Sequence, residues 1–292
     1  MSEAAPRKSG AAPLAAAKVG RIAARFRELS KKSELGIVAY ITAGDPSLAA
    51  TEKIVFAAAD AGADVIELGV PFSDPIADGP TIQRASERAL RAGTTLEDVL
   101  NLSRRLRAKC EVPIVLFSYI NPILQMGLEK FVAAAAGGID GALATDLPFE
   151  EASEYRAILH AHNLDTVFLV APTSTDARIE QIAKASTGFL YVISRAGVTG
   201  PRETLPPDLP GMVRRIRGFT KLPIAVGFGI ALPTHVSVLG GIADAAVVGS
   251  ALVAEVEQAS SPEAAAEAVA ERIRVLKKAA REGVSRRSPD AV

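Results

Sequence analysis

Tryptophan is absent from these 292 residues, cysteine occurs once and histidine three times, and the formal charges cancel. Each scarcity removes a class of function. A single cysteine, Cys110, permits no internal disulfide and fits a reducing, cytoplasmic setting. Just ahead of a β-rich run, it reads as a small apolar residue. With 33 basic and 33 acidic side chains, nothing points to nucleic acid or an anionic membrane as partner. No uninterrupted apolar run approaches about 18 residues, so no membrane span is expected. His160, His162 and His235 fall in segments of helical period and read as surface or packing residues, which leaves a metal-dependent aldolase without clustered ligands. None of the β-rich runs contains a lysine, which excludes a Schiff-base aldolase. Neither a PLP nor a nicotinamide signature is visible.

Nearly half the residues are apolar, enough for a substantial core. Eight short β-rich runs can be counted: Leu35–Ala43, Asp64–Val70, Val112–Tyr119, Gly141–Asp146, Thr166–Ala171, Phe189–Arg195, Leu222–Phe228 and Ala245–Val248. Helical segments separate them, with start signals at Asp45-Pro46-Ser47, Thr94-Thr95 and Ser174-Thr175-Asp176. Regular alternation implies βαβ units and a parallel sheet, and eight units in about 250 residues match a single (β/α)8 TIM barrel. A helix from about Lys18 to Lys32 would precede the first strand and cover the lower end. An open doubly wound sheet is the other architecture, but no Gly-x-Gly-x-x-Gly follows the first strand. The expected organisation is a disordered extension at 1–17, a barrel domain at 18–281 and a flexible tail at 282–292.

The stretch from Asp64 to Gln83 stands out. It opens as an apolar run interrupted by Glu67, then breaks into a Pro- and Gly-rich loop with two more carboxylates, Asp74 and Asp78. Alternation along a strand puts Glu67 on one face with Val65 and Gly69. A carboxylate among apolar neighbours is costly unless paired or protonated, so its pKa rises, as a proton shuttle requires. A second carboxylate brought over it by the loop would complete an acid–base pair. The other reading makes Glu67 a strand-end residue bonded to backbone and the aspartates turn formers.

In a barrel, active residues lie at the C-terminal ends of strands. Those ends carry Tyr40 and Thr42, Glu67, Phe117 and Tyr119, Asp146, Thr173, Arg195 and Thr199, then Gly227-Phe-Gly229 and Gly249-Ser250. Aromatic and apolar groups around one buried carboxylate suggest a flat, hydrophobic substrate. Small residues after the seventh and eighth strands, with a helix starting after Ser250, suit a phosphate group. The Pro/Gly-rich loop from Ser194 to Pro210 has the length of a lid. Metal-free acid–base chemistry on a phosphate-bearing substrate remains.

Ile66-Glu-Leu-Gly-Val-Pro-Phe-Ser-Asp-Pro-Ile-Ala-Asp-Gly-Pro-Thr-Ile-Gln83 resembles the signature of the tryptophan synthase alpha chain family. Tyr40-Ile-Thr-Ala-Gly-Asp-Pro46, Phe117-Ser-Tyr-Ile-Asn-Pro122, Ala171-Pro-Thr-Ser-Thr-Asp176, Ser194-Arg-Ala-Gly-Val-Thr-Gly200, Gly227-Phe-Gly-Ile230 and Val248-Gly-Ser250 extend the resemblance from about Arg21 to about Val275. It implies a barrel that cleaves indole-3-glycerol phosphate to indole and glyceraldehyde 3-phosphate. Glu67 matches the family's general acid–base, and Asp78 the carboxylate that holds the indole N–H. Tyr40, Phe117, Tyr119 and Tyr191 would line the indole pocket. Gly200, Gly229, Gly249 and Ser250, with Phe228 beside them, match substrate-binding positions, and Thr199 belongs to the lid and would orient Asp78. Tyr40 and Phe117 depart from the enterobacterial-type pattern, where Phe and an aliphatic are frequent. The resemblance further implies a β-chain partner in an α2β2 heterotetramer, with PLP in that partner and no cofactor in this chain. A stand-alone lyase releasing free indole is the alternative. An isomerase or epimerase of another sugar phosphate is disfavoured by the aromatic pocket, and a non-catalytic scaffold by the retained carboxylate pair.

Overall fold

The computed structural model describes residues 20–193, 205–227 and 229–285. Helix α1 (Arg21–Lys31) leads into β1 (Gly36–Thr42), α2 (Leu48–Asp60) and β2 (Val65–Gly69). Next come α3 (Pro80–Arg91), α4 (Leu96–Arg107), β3 (Ile114–Ser118), α5 (Ile120–Met126), α6 (Leu128–Ala135) and β4 (Gly141–Ala144). The second half runs α7 (Ser153–Ala161), β5 (Asp165–Thr166), β6 (Phe168–Val170), α8 (Asp176–Ala185), β7 (Leu190–Ile193), α9 (Leu209–Arg217), β8 (Ile224–Gly227), α10 (Pro233–Leu239), β9 (Ala245–Val248), α11 (Ser250–Gln258) and α12 (Pro262–Ser285). The final helix thus continues past position 282, where the sequence suggested a tail.

All strand pairs are parallel, in the order β5-β4-β3-β2-β1-β9-β8-β7-β6. The eight expected runs become nine strands because the fifth is divided at Val167. Its first half pairs with β4 and its second with β7. One stretch of chain therefore serves both neighbours in turn, and the backbone itself closes the ring between the two ends of the hydrogen-bonded ladder. The helix-start signals act as expected: Ser47, Thr95 and Thr175 each accept a backbone N–H at the N-cap, and Thr95 forms a capping box with Asp98.

Every residue of β1, β2, β3 and β4 is buried, and alternation sorts their side chains into two cores. Ile37, Ala39, Ile41, Ile66, Leu68, Ile114 and Leu116 pack outward under the helices. Val38, Val65, Val115, Leu143, Val167, Ala225 and Val247 fill the barrel, and Ile22, Phe26 and Leu29 of α1 join them. Phe26 meets Phe189 with ring centroids 5.8 Å apart. The helix before the first strand therefore plugs the lower end, as expected, and keeps water out beneath the site.

A repeated device seals the same end. Asp64, Asp140 and Asp244, each just ahead of a strand, accept an N–H from the beginning of a neighbouring strand: Ile37, the second residue of β1, and Ile114 and Ile224, the first residues of β3 and β8. Each also holds cations: Arg107 and Arg21 for Asp140, and Arg217 for Asp244. Asp64 holds two, Arg25 of α1 at 3.0 Å through Nε and Lys277 of α12 at 2.7 Å, so it joins the first and last helices to the sheet. Asp64 and Lys277 are buried. Removing one member of a buried charge cluster leaves the others uncompensated. Asp64→Ala is thus expected to lower unfolding free energy by ~3–5 kcal/mol, read from urea denaturation; a change below about 0.5 kcal/mol, the scale of a neutral surface substitution, would contradict the clamp.

Candidate active site

Strand register brings the upper residues together. Tyr40 pairs with Glu67 across β1 and β2, and Gly69 pairs with Phe117 across β2 and β3. Tyr40 and Phe117 meet edge to face, 5.1 Å between centroids. Two glycines make room for the rings: a Cβ at Gly69 would collide with the Tyr40 phenol, and one at Gly227 with that of Tyr191. In a strand, glycine commonly marks such a close approach. The result is a cavity lined by Tyr40, Glu67, Asp78, Phe117, Tyr191, Gly229, Gly249 and Ser250, together with Ile82, Ile230, Ala231, Val247 and Ala251.

Glu67 is fully buried, and among the described residues neither carboxylate oxygen has a hydrogen-bond partner. Burial alone pushes its pKa to about 8. The reading of Glu67 as a backbone-bonded strand-end residue is therefore excluded by its surroundings. Asp78 is nearly as buried, and burial raises its pKa to about 6 against the lowering effect of a hydrogen bond from Tyr119. The Tyr119 hydroxyl donates to Asp78 Oδ2 at 3.0 Å and accepts the Ala77 N–H at 2.9 Å. Tyr119 also stacks on Phe72, centroids 4.9 Å apart. It reaches the site by holding Asp78 rather than by lining the cavity. Asp74, the other loop carboxylate, is exposed and bonded to Ser73. One acid of the loop enters the site and one does not.

On the opposite rim lie Gly229, at φ +88°, and the Gly249-Ser250 start of α11. That arrangement aims the free N–H groups and positive end of a helix at the cavity, as anion binding requires. Gln83 ties the acid loop to α3, its Nε2 donating to the Asp78 carbonyl at 2.8 Å. Thr199, Gly200 and Phe228 lie outside the described residues, as do 194–204 of the expected lid loop, whose last residues, Leu209 and Pro210, belong to α9. Among the described residues no group of three or more His, Cys, Asp or Glu is placed to hold a metal, and no helix is long and apolar enough to cross a membrane. His235 is buried and packs in α10.

The family model for the tryptophan synthase alpha chain matches residues 26–281. The chain belongs to the tryptophan synthase alpha chain family. An alpha chain from Solibacter usitatus is 54% identical over 82% of this chain and 90% of its own, and one from Geobacter sulfurreducens 50% identical over 84% and 93%. Among solved structures, Mycobacterium tuberculosis tryptophan synthase superposes with a TM-score of 0.83 at 32% identity, covering 90% of this chain and 99% of that one. The alpha subunit from Legionella pneumophila gives 0.81 at 34%, covering 91% and 100%. Family membership makes the chain a lyase of tryptophan biosynthesis, with cleavage of indole-3-glycerol phosphate as its half-reaction.

Of the cavity residues, Ile82, Ile230, Ala231, Val247 and Ala251 escaped sequence reading. Ile82 had a signal: Pro80 at the first helical position announces α3, and Ile82 follows within its first turn. Val247 shares the inward face with Ala245 by simple alternation.

The unpartnered acid has a thermodynamic signature. Below about pH 4.5 Glu67 is protonated whether the chain is folded or not, and contributes nothing. Between there and about 8 the unfolded chain ionises while the folded chain does not, so stability falls by ~1.4 kcal/mol per pH unit; above that the loss is complete. Glu67→Gln, neutral throughout, is expected to exceed the wild type by a few kcal/mol near pH 9 and by little near pH 4.5. Urea midpoints that track each other across this range would refute the burial argument.

Proposed function

We propose that Glu67 and Asp78 are the acid–base pair for cleavage of indole-3-glycerol phosphate, and that the cavity orients the substrate between them and the α11 rim. The observation that carries this reading is a fully buried Glu67 carboxyl with no hydrogen-bond partner among the described residues, lining the same cavity as Asp78. Near neutral pH Glu67 is protonated and Asp78 largely ionised, so the two differ in role through environment alone.

Glu67 gives its proton to C3 of the indole ring, and positive charge develops on the ring nitrogen. The Asp78 carboxylate accepts the hydrogen bond of that N–H and stabilises the charge, with Tyr119 fixing its orientation. The Glu67 carboxylate left behind then takes part in removing the proton from the side-chain hydroxyl. The oxygen lone pair forms the aldehyde, the C–C bond breaks, and its electrons return to the ring to neutralise the nitrogen. Indole and glyceraldehyde 3-phosphate result, and Glu67 is again protonated. Tyr40, Phe117 and Tyr191 form the apolar walls for the ring. Gly229, Gly249 and Ser250 receive the phosphate, with Gly200 and Phe228 assigned to the same end by family resemblance, and Thr199 to the lid.

The reading includes a β-chain partner, arranged as an α2β2 heterotetramer in the cytoplasm, that takes up the indole. PLP in that partner supplies the chemistry joining indole to serine, and this chain carries no cofactor of its own.

An indole-release assay on the purified chain, with and without a β chain, tests the proposal. Activity requires Asp78 ionised and Glu67 protonated, so kcat/KM is expected to rise through about pH 6 and fall through about pH 8. Asp78→Asn should cost ~10²–10³-fold in kcat, the scale of losing one preorganised electrostatic group. Glu67→Gln should abolish release while inorganic phosphate still binds; release near the wild-type rate would defeat the mechanism.

A further inference from the structure

Three elements that deliver groups to the cavity meet again at their far ends in one ion-pair network. Asp45 lies in the turn after β1, the strand of Tyr40. Arg84 and Arg88 sit one turn apart on α3, whose first turn carries Ile82 and holds the Asp78 loop. Glu257 lies near the C-terminal end of α11, whose start is the Gly249-Ser250 rim. Arg88 grips Asp45 with two bonds, Nε to Oδ1 at 2.7 Å and Nη2 to Oδ2 at 2.8 Å, and reaches Glu257 with Nη1 at 2.7 Å. Arg84 closes on Glu257 with two bonds of 2.7 Å. The Asp45 carboxylate is buried and the Arg88 guanidinium mostly so, whereas Arg84 is half exposed. Exposed pairs contribute little, so Arg88 is the centre of the network.

We propose that Arg88 is a positioning residue that sets the span between the Asp78 side of the cavity and the anion-facing start of α11. This rests on the functional reading above and deepens it. The mechanical path on one side is short: Asp78 carbonyl to Gln83, then along α3 to Arg88. On the other, Glu257 is two turns of α11 from Ser250, about 10 Å at 1.5 Å per residue. A guanidinium bonded twice to one carboxylate fixes angle as well as distance, which a lysine ammonium does not. A substrate held at both ends needs that span correct, because a misplacement of about 1 Å costs on the order of 10²-fold in rate. A network that served stability alone would leave turnover untouched at temperatures well below melting.

The test compares Arg88→Lys, Glu257→Gln and their combination with the wild type, each confirmed folded by circular dichroism and assayed well below its Tm. Arg88→Lys is expected to lower kcat for indole release at least tenfold while affinity for inorganic phosphate, bound at the intact α11 start, stays within twofold. Glu257→Gln should move kcat in the same direction by less, and the double variant should be no worse than Arg88→Lys, since both act through one network. If Arg88→Lys does not fold, the milder Glu257→Gln decides alone. A kcat within twofold of wild type in the folded variants overturns the proposal. So does a fall in phosphate affinity that matches the fall in kcat, which would confine the network to the anion end. Wild-type protein that releases no indole sinks the functional reading together with this one, whereas an active wild type with unaffected variants sinks this one only.

Discussion

A carboxyl group with no hydrogen-bond partner among the described residues, shut inside an apolar barrel, is the constraint that the upper half of this molecule is built to tolerate. Water would restore an ordinary pKa to Glu67, so the site must stay dry on every side but one. Below it stand Val65 and Val115 and the plug made by Ile22 and Phe26. Beside it stand Tyr40 and Tyr191, both buried, their own phenols pushed up by burial and by the two acids. The open side is the cavity. A substrate entering there displaces solvent and leaves the acid facing the ring it is to protonate, a preorganisation that needs no movement of the strand.

Two acids on one cavity serve different roles only if their surroundings differ. Here they are separated by support. Glu67 on the strand receives nothing, while Asp78 on the loop receives the Tyr119 hydroxyl, itself anchored by the Ala77 backbone and packed on Phe72. That hydrogen bond, a slightly lesser burial and the lower ordinary value of an aspartate together place Asp78 at about 6 and leave Glu67 at about 8. The loop is rich in proline and glycine, yet its acid is held by a tyrosine at the start of α5 and by a glutamine of α3. Loops that carry chemistry are commonly fixed in this way by the rigid elements around them.

Much of this was legible in the residue pattern, for physical reasons that also mark where legibility stops. Strands buried on both faces leave nearly continuous apolar runs, so the barrel and the one charged interruption at Glu67 could be read directly. Capping at Ser47, Thr95 and Thr175 is local chemistry and was equally plain. The divided fifth strand was not, because pairing with two different neighbours is a property of ring closure and leaves no mark in Thr166–Ala171. The α3 start is marked only by Pro80 within a run of turn-forming residues, so Ile82 was readable only through that one signal. Residue pattern alone left Asp74 and Asp78 side by side, and the family resemblance singled out Asp78; the hold of Tyr119 on it, from some forty residues away in the chain, leaves no local mark. The exclusion of Cβ atoms at Gly69 and Gly227 depends on where two tyrosine rings come to rest.

Ion pairs serve this barrel in two ways. At the lower rim three aspartates each bond a strand N–H and a cation, and the pattern repeats because each marks the step from one strand to the next. Each of those carboxylates serves its own strand junction. The cluster around Arg88 lies outside the cavity lining and connects elements that are distant in sequence, β1, α3 and α11, each of which sends a residue to the cavity. Buried ionic groups are costly to assemble and strongly directional once formed. Spending that directionality between Asp45, α3 and α11 makes sense where relative position matters more than net stability, which is the demand a two-ended substrate places on a barrel mouth.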